Sequence, residues 1–249
     1  MTNKRQKIVR ISLLAMFSAI IIGMTFTPYL GYITIPGMLS ITTIHIIVIV
    51  SAIAMNNYLD GAILGAVWGV SCLLYALSNG TADSAIFLDP KISVIPRILV
   101  GILVVACYRI ANIASKNKYF RIAFQILVIV IFAFLVGVFA KNISDNLIIS
   151  IIFAVIAALF CFFLFTKFGK NVDTMPMFFS ALGGTFSNTV LVLTAINLFG
   201  SQGLIDLTGT IKNIFSTVIA LNGSIEIVAA VVIAVPCCFA VKKAMNKFK

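Results

Sequence analysis

The chain has 249 residues, of which 61% are hydrophobic and 10% are charged, and its mean hydropathy is +1.16. Soluble domains carry about a quarter charged residues, so this composition excludes a soluble globule. The net charge of +11 would suggest a nucleic-acid partner in a soluble protein, but basic loops explain it in a membrane protein, so we expect lipid contact and no nucleic acid.

Eight continuous apolar runs predict an all-α, polytopic transmembrane bundle that occupies residues 1–249 as a single domain. The runs lack the alternation of barrel strands. The first run follows a basic start without a small-residue cleavage site, so we expect an uncleaved span. The predicted spans are 11–26, 38–55, 59–77, 92–114, 120–140, 147–166, 175–199 and 214–241.

Basic residues predict the orientation, because Lys and Arg near span ends stay on the cytoplasmic side. With both termini in the cytoplasm, only four of the 18 Lys and Arg residues fall outside. The opposite orientation would invert this bias. The four outer residues are Lys91, Arg97, Lys141 and Lys212.

Cysteine and nucleotide-binding patterns give no sign of a resident cofactor. The five cysteines lie inside apolar runs and form no C-x-x-C pair, which favours small buried side chains over disulfides or metal ligands. The sequence also lacks a phosphate-binding loop. We therefore expect no cofactor, and any ATP must be used by a partner protein.

Small residues recur at a spacing of four in two of the predicted spans. Ala15, Ala19 and Gly23 share one face of the first span, where they permit another helix to approach closely. That helix can belong to this chain or to a partner, and the residues alone favour this chain. Residues 61, 65 and 69 are glycines that repeat the pattern in the third span, where we predict internal packing.

Polar side chains at membrane depth are candidates for a site, because burying them in hydrocarbon is costly. His45 is the only histidine and lies in the outer half of the second span. Glu226 is the only glutamate and lies in the last span, where a carboxylate must be paired, hydrated or protonated. For both residues a purely structural role stays open.

Further polar residues belong to the same outer half or to the middle of the membrane. Arg97 begins the fourth span and is either a snorkelling interface residue or a cation that awaits an anionic ligand. Tyr75 ends the third span, and Asn188 follows a glycine pair in the seventh. These depths favour a pocket that opens to the outside.

Five blocks, at residues 43–46, 61–69, 95–101, 187–193 and 222–226, resemble the substrate-binding (S) components of energy-coupling factor (ECF) vitamin transporters. The pantothenate-type branch is the most similar. The resemblance implies a prokaryotic plasma-membrane subunit that captures a vitamin outside the cell. It also implies three partners, namely a transmembrane coupling subunit and two cytoplasmic ATPases.

The resemblance also assigns roles to residues. It implies that Ala15, Ala19 and Gly23 contact the coupling subunit, which reverses the preference from the residues alone. Because such S components have six spans, residues 120–166 are expected to be an inserted helical hairpin. The residues expected to bind substrate are His45, Tyr75, Arg97, Asn188, Asn222 and Glu226.

Three hypotheses for the function follow. The first is an S component without catalytic activity, with pantothenate favoured because Arg97 suits a small polar carboxylate; a cationic or uncharged heterocycle would use Glu226 instead. The second is a proton-coupled secondary transporter with a relay between His45 and Glu226. The third is an intramembrane enzyme, ranked last because no nucleophile–base pair or metal cluster is evident.

Overall fold

The computed structural model describes residues 3–27, 29–33, 41–79, 85–144, 146–168, 174–200 and 224–247. These residues form a bundle of helices, and a short antiparallel strand pair, β1 (Tyr32–Ile33) and β2 (Ile41–Thr42), precedes the second helix. The helices are α1 (Asn3–Phe26), α2 (Ile44–Met55), α3 (Tyr58–Asn79), α4 (Pro90–Ser93), α5 (Ile95–Ala114), α6 (Lys118–Ser144), α7 (Leu147–Phe168), α8 (Thr174–Phe199) and α9 (Ser224–Lys247).

The helices confirm the predicted polytopic membrane fold. Among the described residues, five helical stretches are long and apolar enough to cross a membrane: Lys7–Phe26, Tyr58–Asn79, Pro90–Ala114, Met175–Phe199 and Glu226–Met245. The second predicted span is shorter than expected, since α2 has 12 residues. A helix of that length rises about 18 Å, whereas the hydrocarbon core is about 30 Å thick.

Helix α2 forms the centre of the bundle. Ten of its 12 residues are buried, and it packs against α1, α3, α5, α8 and α9. It ends at Asn56, which adopts a left-handed conformation with φ of 48°. The Arg109 guanidinium of α5 donates hydrogen bonds to the backbone and side-chain oxygens of Asn56, which ties the two helices together at their inner ends.

The glycine row of α3 packs against α5, as its spacing predicted. A Cβ atom at Gly61 would overlap the carbonyl oxygen of Gly101, and one at Gly65 would overlap the carbonyl oxygen of Arg97. At Gly69 it would lie 2.7 Å from the Cα atom of Val94. Only glycine allows the two backbones to come this close.

Helices α6 and α7 pack side by side as a hairpin at the edge of the bundle. The Ser150 hydroxyl of α7 donates a 2.6 Å hydrogen bond to the carbonyl oxygen of Gly137 on α6. Helix α6 also contacts α9, whereas most of α7 is exposed. The hairpin covers the predicted segment 120–166; that it is an insertion stays a prediction from the resemblance.

An ion pair joins α1 to α3 at the predicted cytoplasmic end. The Nε atom of Arg10 donates to both carboxylate oxygens of Asp60 at 2.9 Å. The Asp60 side chain is 1% exposed and that of Arg10 is 44% exposed. The acidic residue therefore depends on this arginine for its charge partner.

Candidate functional site

Arg97 lies near the start of α5, at the outer end of the bundle as the charge distribution assigns it. Its side chain is buried, with 5% exposed. The Nη1 atom donates a 2.6 Å hydrogen bond to the carbonyl oxygen of Ile92, and the Nη2 atom lies 4.0 Å from the Cys72 sulfur. The Nε atom has no hydrogen-bond partner among the described residues.

Two aromatic rings flank the Arg97 guanidinium. Its Cζ atom lies 5.5 Å from the ring centroid of Trp68 and 5.1 Å from that of Phe87. Such cation–π contacts hold the group but do not neutralise its charge. Within the described residues no carboxylate oxygen lies within 4.0 Å of Arg97. Because a buried unpaired charge is unfavourable, this site suits an anionic ligand.

Tyr32 of β1 and Tyr75 of α3 form a stacked pair beside the arginine. Their ring centroids are 4.9 Å apart with an interplanar angle of 22°. Burial is the main cause that raises the pKa of Tyr32 well above its usual value, and Cys72 contributes further. The Tyr32 hydroxyl is buried and makes no hydrogen bond to oxygen or nitrogen within the described part of the chain, and the Cys72 thiol is its neighbour. The hydroxyl therefore remains protonated and can donate to a ligand.

Glu226 lies in the first turn of α9 and connects that helix to β2. Its Oε1 atom accepts a 2.8 Å hydrogen bond from the backbone N–H of Thr42. Its charge interacts with that of Arg97, although the two groups are not within ion-pair distance. The sequence placed Glu226 near mid-membrane, whereas its bond to β2 brings it to the outer end, because the strand pair stacks on Tyr75 there.

His45 and Asn188 lie deeper in the bundle, on α2 and α8. His45 is fully buried, and neither of its ring nitrogens has a hydrogen-bond partner among the described residues, although the backbone of Thr42 is near. Asn188 is 7% exposed, and its Oδ1 atom also lacks a partner there.

Buried polar atoms without partners concentrate around this site. Native interiors leave few such atoms, so a cluster of them indicates a place for a ligand. Six residues in the described ranges carry one, and five of them belong to the site; Ser180 on α8 is the exception. The five are Tyr32, His45, Trp68, Arg97 and Asn188.

The structure thus brings most of the predicted residues to one region. Tyr75, Arg97 and Glu226 gather at the outer end, and His45 and Asn188 lie below them. Asn222 lies outside the described residues. No group of three His, Cys, Asp or Glu side chains able to hold a metal occurs in the described ranges.

Several residues of the site were missed by sequence reasoning. Tyr32, Thr42 and Phe87 lie in connections between spans, where hydropathy gives no signal. Trp68 is the only tryptophan of the chain, but its position beside the glycine row indicates packing. One signal in the sequence could have identified it: a tryptophan, with its polar indole N–H, lies beside a row of small residues.

No family model matches the chain. The chain is 34% identical over 125 residues to the pantothenate transporter PanT of Leuconostoc mesenteroides; this match spans 49% of the chain and 59% of that transporter. It is 26% identical over 258 residues to the pantothenic acid transporter PanT of Lactococcus lactis subsp. cremoris, covering 98% of both proteins.

The relatives and the helices together establish the setting of the protein. Both relatives are bacterial proteins named as transporters, and several helices here are long and apolar enough to cross a membrane. The chain is a multi-pass protein of the prokaryotic plasma membrane.

Proposed function

We propose that this protein transports pantothenate into the cell and binds it at the outer end of the bundle. Arg97 carries the proposal, because a buried guanidinium with a free Nε atom and no carboxylate within ion-pair distance among the described residues suits an anionic ligand. Pantothenate ends in a carboxylate. The names of the two relatives support the same substrate and favour transport over catalysis.

In the proposed complex the pantothenate carboxylate pairs with Arg97 and accepts a hydrogen bond from Tyr32. Charge-assisted pairs of this kind are the strong hydrogen bonds of proteins. Tyr75 supports Tyr32 by stacking, and Glu226 fixes β2 through Thr42. The place of Asn222 in the site stays a prediction from the sequence.

The mechanism we propose is that of an ECF-type transporter, in which this chain is the substrate-binding subunit. The partners are a transmembrane coupling subunit and two cytoplasmic ATPases. A surface on α1 supports this assignment: Ala15 and Ala19 are exposed, and a Cβ atom at Gly23 would meet nothing within 4 Å. Large apolar side chains around them are exposed as well, including Ile11, Met16 and Ile20. A helix of a partner fits such a face.

The alternative function is proton-coupled secondary transport. It uses His45 and Glu226 as a relay, and both side chains are buried near the outer end. The bond between Glu226 and Thr42 favours an anchoring role instead, and within the described residues no hydrogen bond links Glu226 to His45. We therefore rank this function second.

Uptake of labelled pantothenate separates the two mechanisms. We expect uptake in cells that lack their own pantothenate transporter only when the ECF coupling module is co-expressed. Uptake should then survive a protonophore as long as ATP is maintained. If uptake persists without the module and collapses with the protonophore, the ECF mechanism is wrong and proton coupling is right. If neither condition gives uptake or binding, the substrate is wrong.

A further inference from the structure

Helices α2 and α8 cross at a glycine. A Cβ atom at Gly184 of α8 would lie 3.1 Å from the side chain of Ile49 on α2 and 2.6 Å from that of Val104 on α5. Helix α8 runs toward the outer end, because Phe199 at its last turn lies 5.4 Å from the Lys91 ammonium of α4. Helix α2 runs the opposite way, so the two helices are antiparallel.

This crossing places His45 and Asn188 at the same level. His45 lies one turn outward from Ile49 on α2, and Asn188 lies one turn outward from Gly184 on α8. Residues four apart share nearly the same helix face. Two buried side chains with polar atoms that lack partners among the described residues are therefore placed at the same level beside the α2–α8 contact.

The pair lies within reach of a molecule bound at Arg97. On α5, Val104 is seven residues inward from Arg97, about 10 Å, and on α8 Asn188 is four residues outward from Gly184, about 6 Å. The level of His45 and Asn188 is therefore about one helical turn deeper than the start of α5. A small ligand can reach from one to the other.

The chemistry of the pair suits an uncharged hydrogen-bonding group. A neutral imidazole presents one donor and one acceptor, and the asparagine amide presents a carbonyl acceptor and an NH2 donor. A hydroxyl group both donates and accepts, so it can satisfy the two side chains together. A second carboxylate would match this set poorly, because it could not donate to the Oδ1 atom of Asn188.

We propose that His45 and Asn188 form a second subsite, which binds the hydroxylated end of the ligand whose carboxylate is held by Arg97. The substrate class is a carboxylate with hydroxyl groups at its opposite end. This inference rests on the proposed function, because it takes Arg97 as the carboxylate site. Pantothenate belongs to the class, and an acyl-β-alanine without hydroxyl groups does not.

The test compares three ligands on the purified protein in detergent by titration calorimetry. They are pantothenate, pantothenol, in which an alcohol replaces the carboxylate, and N-(3,3-dimethylbutanoyl)-β-alanine, which keeps the carboxylate but lacks both hydroxyls. We expect the wild-type protein to prefer pantothenate to the deoxy analogue by about 10-fold or more, as for a buried polar group left unpaired. Equal affinity for these two ligands would overturn the subsite whatever the variants do.

The variants are His45→Phe and Asn188→Leu, which remove the polar atoms and keep similar volumes. In either variant the preference over the deoxy analogue should fall to about 3-fold or less, as when hydrogen bonds of about 1 kcal/mol are lost. The preference over pantothenol should stay as in the wild type, because Arg97 is intact. An unchanged preference over the deoxy analogue in a folded variant would also overturn the subsite.

Ser180→Ala is the matched control. Ser180 is another fully buried α8 residue whose hydroxyl lacks a partner among the described residues, but it lies two turns, about 12 Å, inward from Asn188. Both preferences should be unchanged in this variant, and a loss of the hydroxyl preference there would contradict the location. If the wild-type protein binds no pantothenate, the proposed function fails as well. If it binds pantothenate but His45→Phe and Asn188→Leu keep the preference over the deoxy analogue, the subsite alone fails.

Discussion

Gly65 of α3 lies against the carbonyl group of Arg97, so a glycine determines how closely the start of α5, which carries the buried guanidinium, approaches α3. A Cβ atom there would also lie 2.9 Å from the Cα atom of Ile98. Both of these atoms belong to the backbone of α5, which cannot rotate away as a side chain can. The packing of two helices and the position of the charged group are therefore coupled.

Gly65→Ala should weaken pantothenate binding by displacing the start of α5. Overpacking a tight contact forces backbone shifts that cost about 1–3 kcal/mol, and a shift at Arg97 moves the guanidinium relative to Trp68. We expect a drop in affinity of about 10-fold or more by calorimetry, with a lower thermal unfolding temperature. Gly23→Ala is the control, since the added methyl group meets nothing within 4 Å. Unchanged affinity for Gly65→Ala would refute the coupling.

Arg97→Gln should reduce pantothenate affinity by about 100-fold, because removing one member of a buried charge pair costs about 2–5 kcal/mol. The same variant should lose its preference for pantothenate over pantothenol. Lys91→Gln is the control: it removes a positive charge from the same end of the bundle, at an exposed residue that contacts Phe199 and not the site. Comparable losses in both variants would indicate a general electrostatic effect in place of a specific carboxylate contact.

Glu226→Gln tests whether the carboxylate anchors β2 or carries protons. The glutamine keeps an oxygen that can accept from the Thr42 N–H, so we expect transport to be retained within about 3-fold, the cost of weakening one hydrogen bond. Glu226→Leu cannot accept and should lose more, because the strand pair that carries Tyr32 loosens. Complete loss of transport in Glu226→Gln, with binding intact, would support the proton-coupled alternative.

Gly23→Leu should separate binding from uptake. The position is open in the structure, so the larger side chain should leave pantothenate binding and thermal stability as in the wild type. If α1 packs closely on the coupling subunit, the same change should prevent assembly and abolish uptake. Ala123→Leu on α6 is the control, an exposed alanine outside the α1 surface, and should leave uptake intact. Normal uptake with Gly23→Leu would exclude this face as the contact.

Arg10→Gln should lower the thermal unfolding temperature, because it leaves the buried Asp60 carboxylate without its charge partner. Adding Asp60→Asn to this variant should recover part of the loss, since the remaining pair is uncharged. Ligand affinity should be unchanged in all variants, because the ion pair lies at the end of the bundle away from Arg97. If the decreases in unfolding temperature caused by Arg10→Gln and Asp60→Asn simply add in the double variant, the two side chains do not interact.

Much of the architecture could be predicted from the sequence. Each predicted span overlaps a helix of the structure, and the glycine row of α3 packs as its spacing indicated. Spans and packing faces are local properties, set by runs of apolar residues and by a repeat along one helix. The predicted start of the second span was wrong, since Ile41 and Thr42 form β2 and α2 begins only at Ile44. The predicted start of the last span, at residues 214–223, lies outside the described residues.

The site itself was predicted only in part. Four polar residues could be identified because each interrupts an apolar run and burying a polar group in hydrocarbon is unfavourable. They are His45, Arg97, Asn188 and Glu226. Their partners could not be found in the same way. Tyr32 lies in a connection, and its place beside Tyr75 depends on a strand pair of two residues each.

The sequence by itself determined that this protein is a helical membrane protein and predicted which ends of its spans face the cytoplasm. Hydropathy and the distribution of Lys and Arg suffice for that, because they determine which segments enter the hydrocarbon and which loops stay in the cytoplasm. Only the tertiary structure decided that the Arg97 guanidinium lies between Trp68 and Phe87 and that Glu226 bonds to Thr42. Lipid solvates every face of an apolar helix equally well, so hydropathy does not select the faces that pack together. That choice depends on how the side chains of two helices fit each other, and the sequence of one helix does not contain this information.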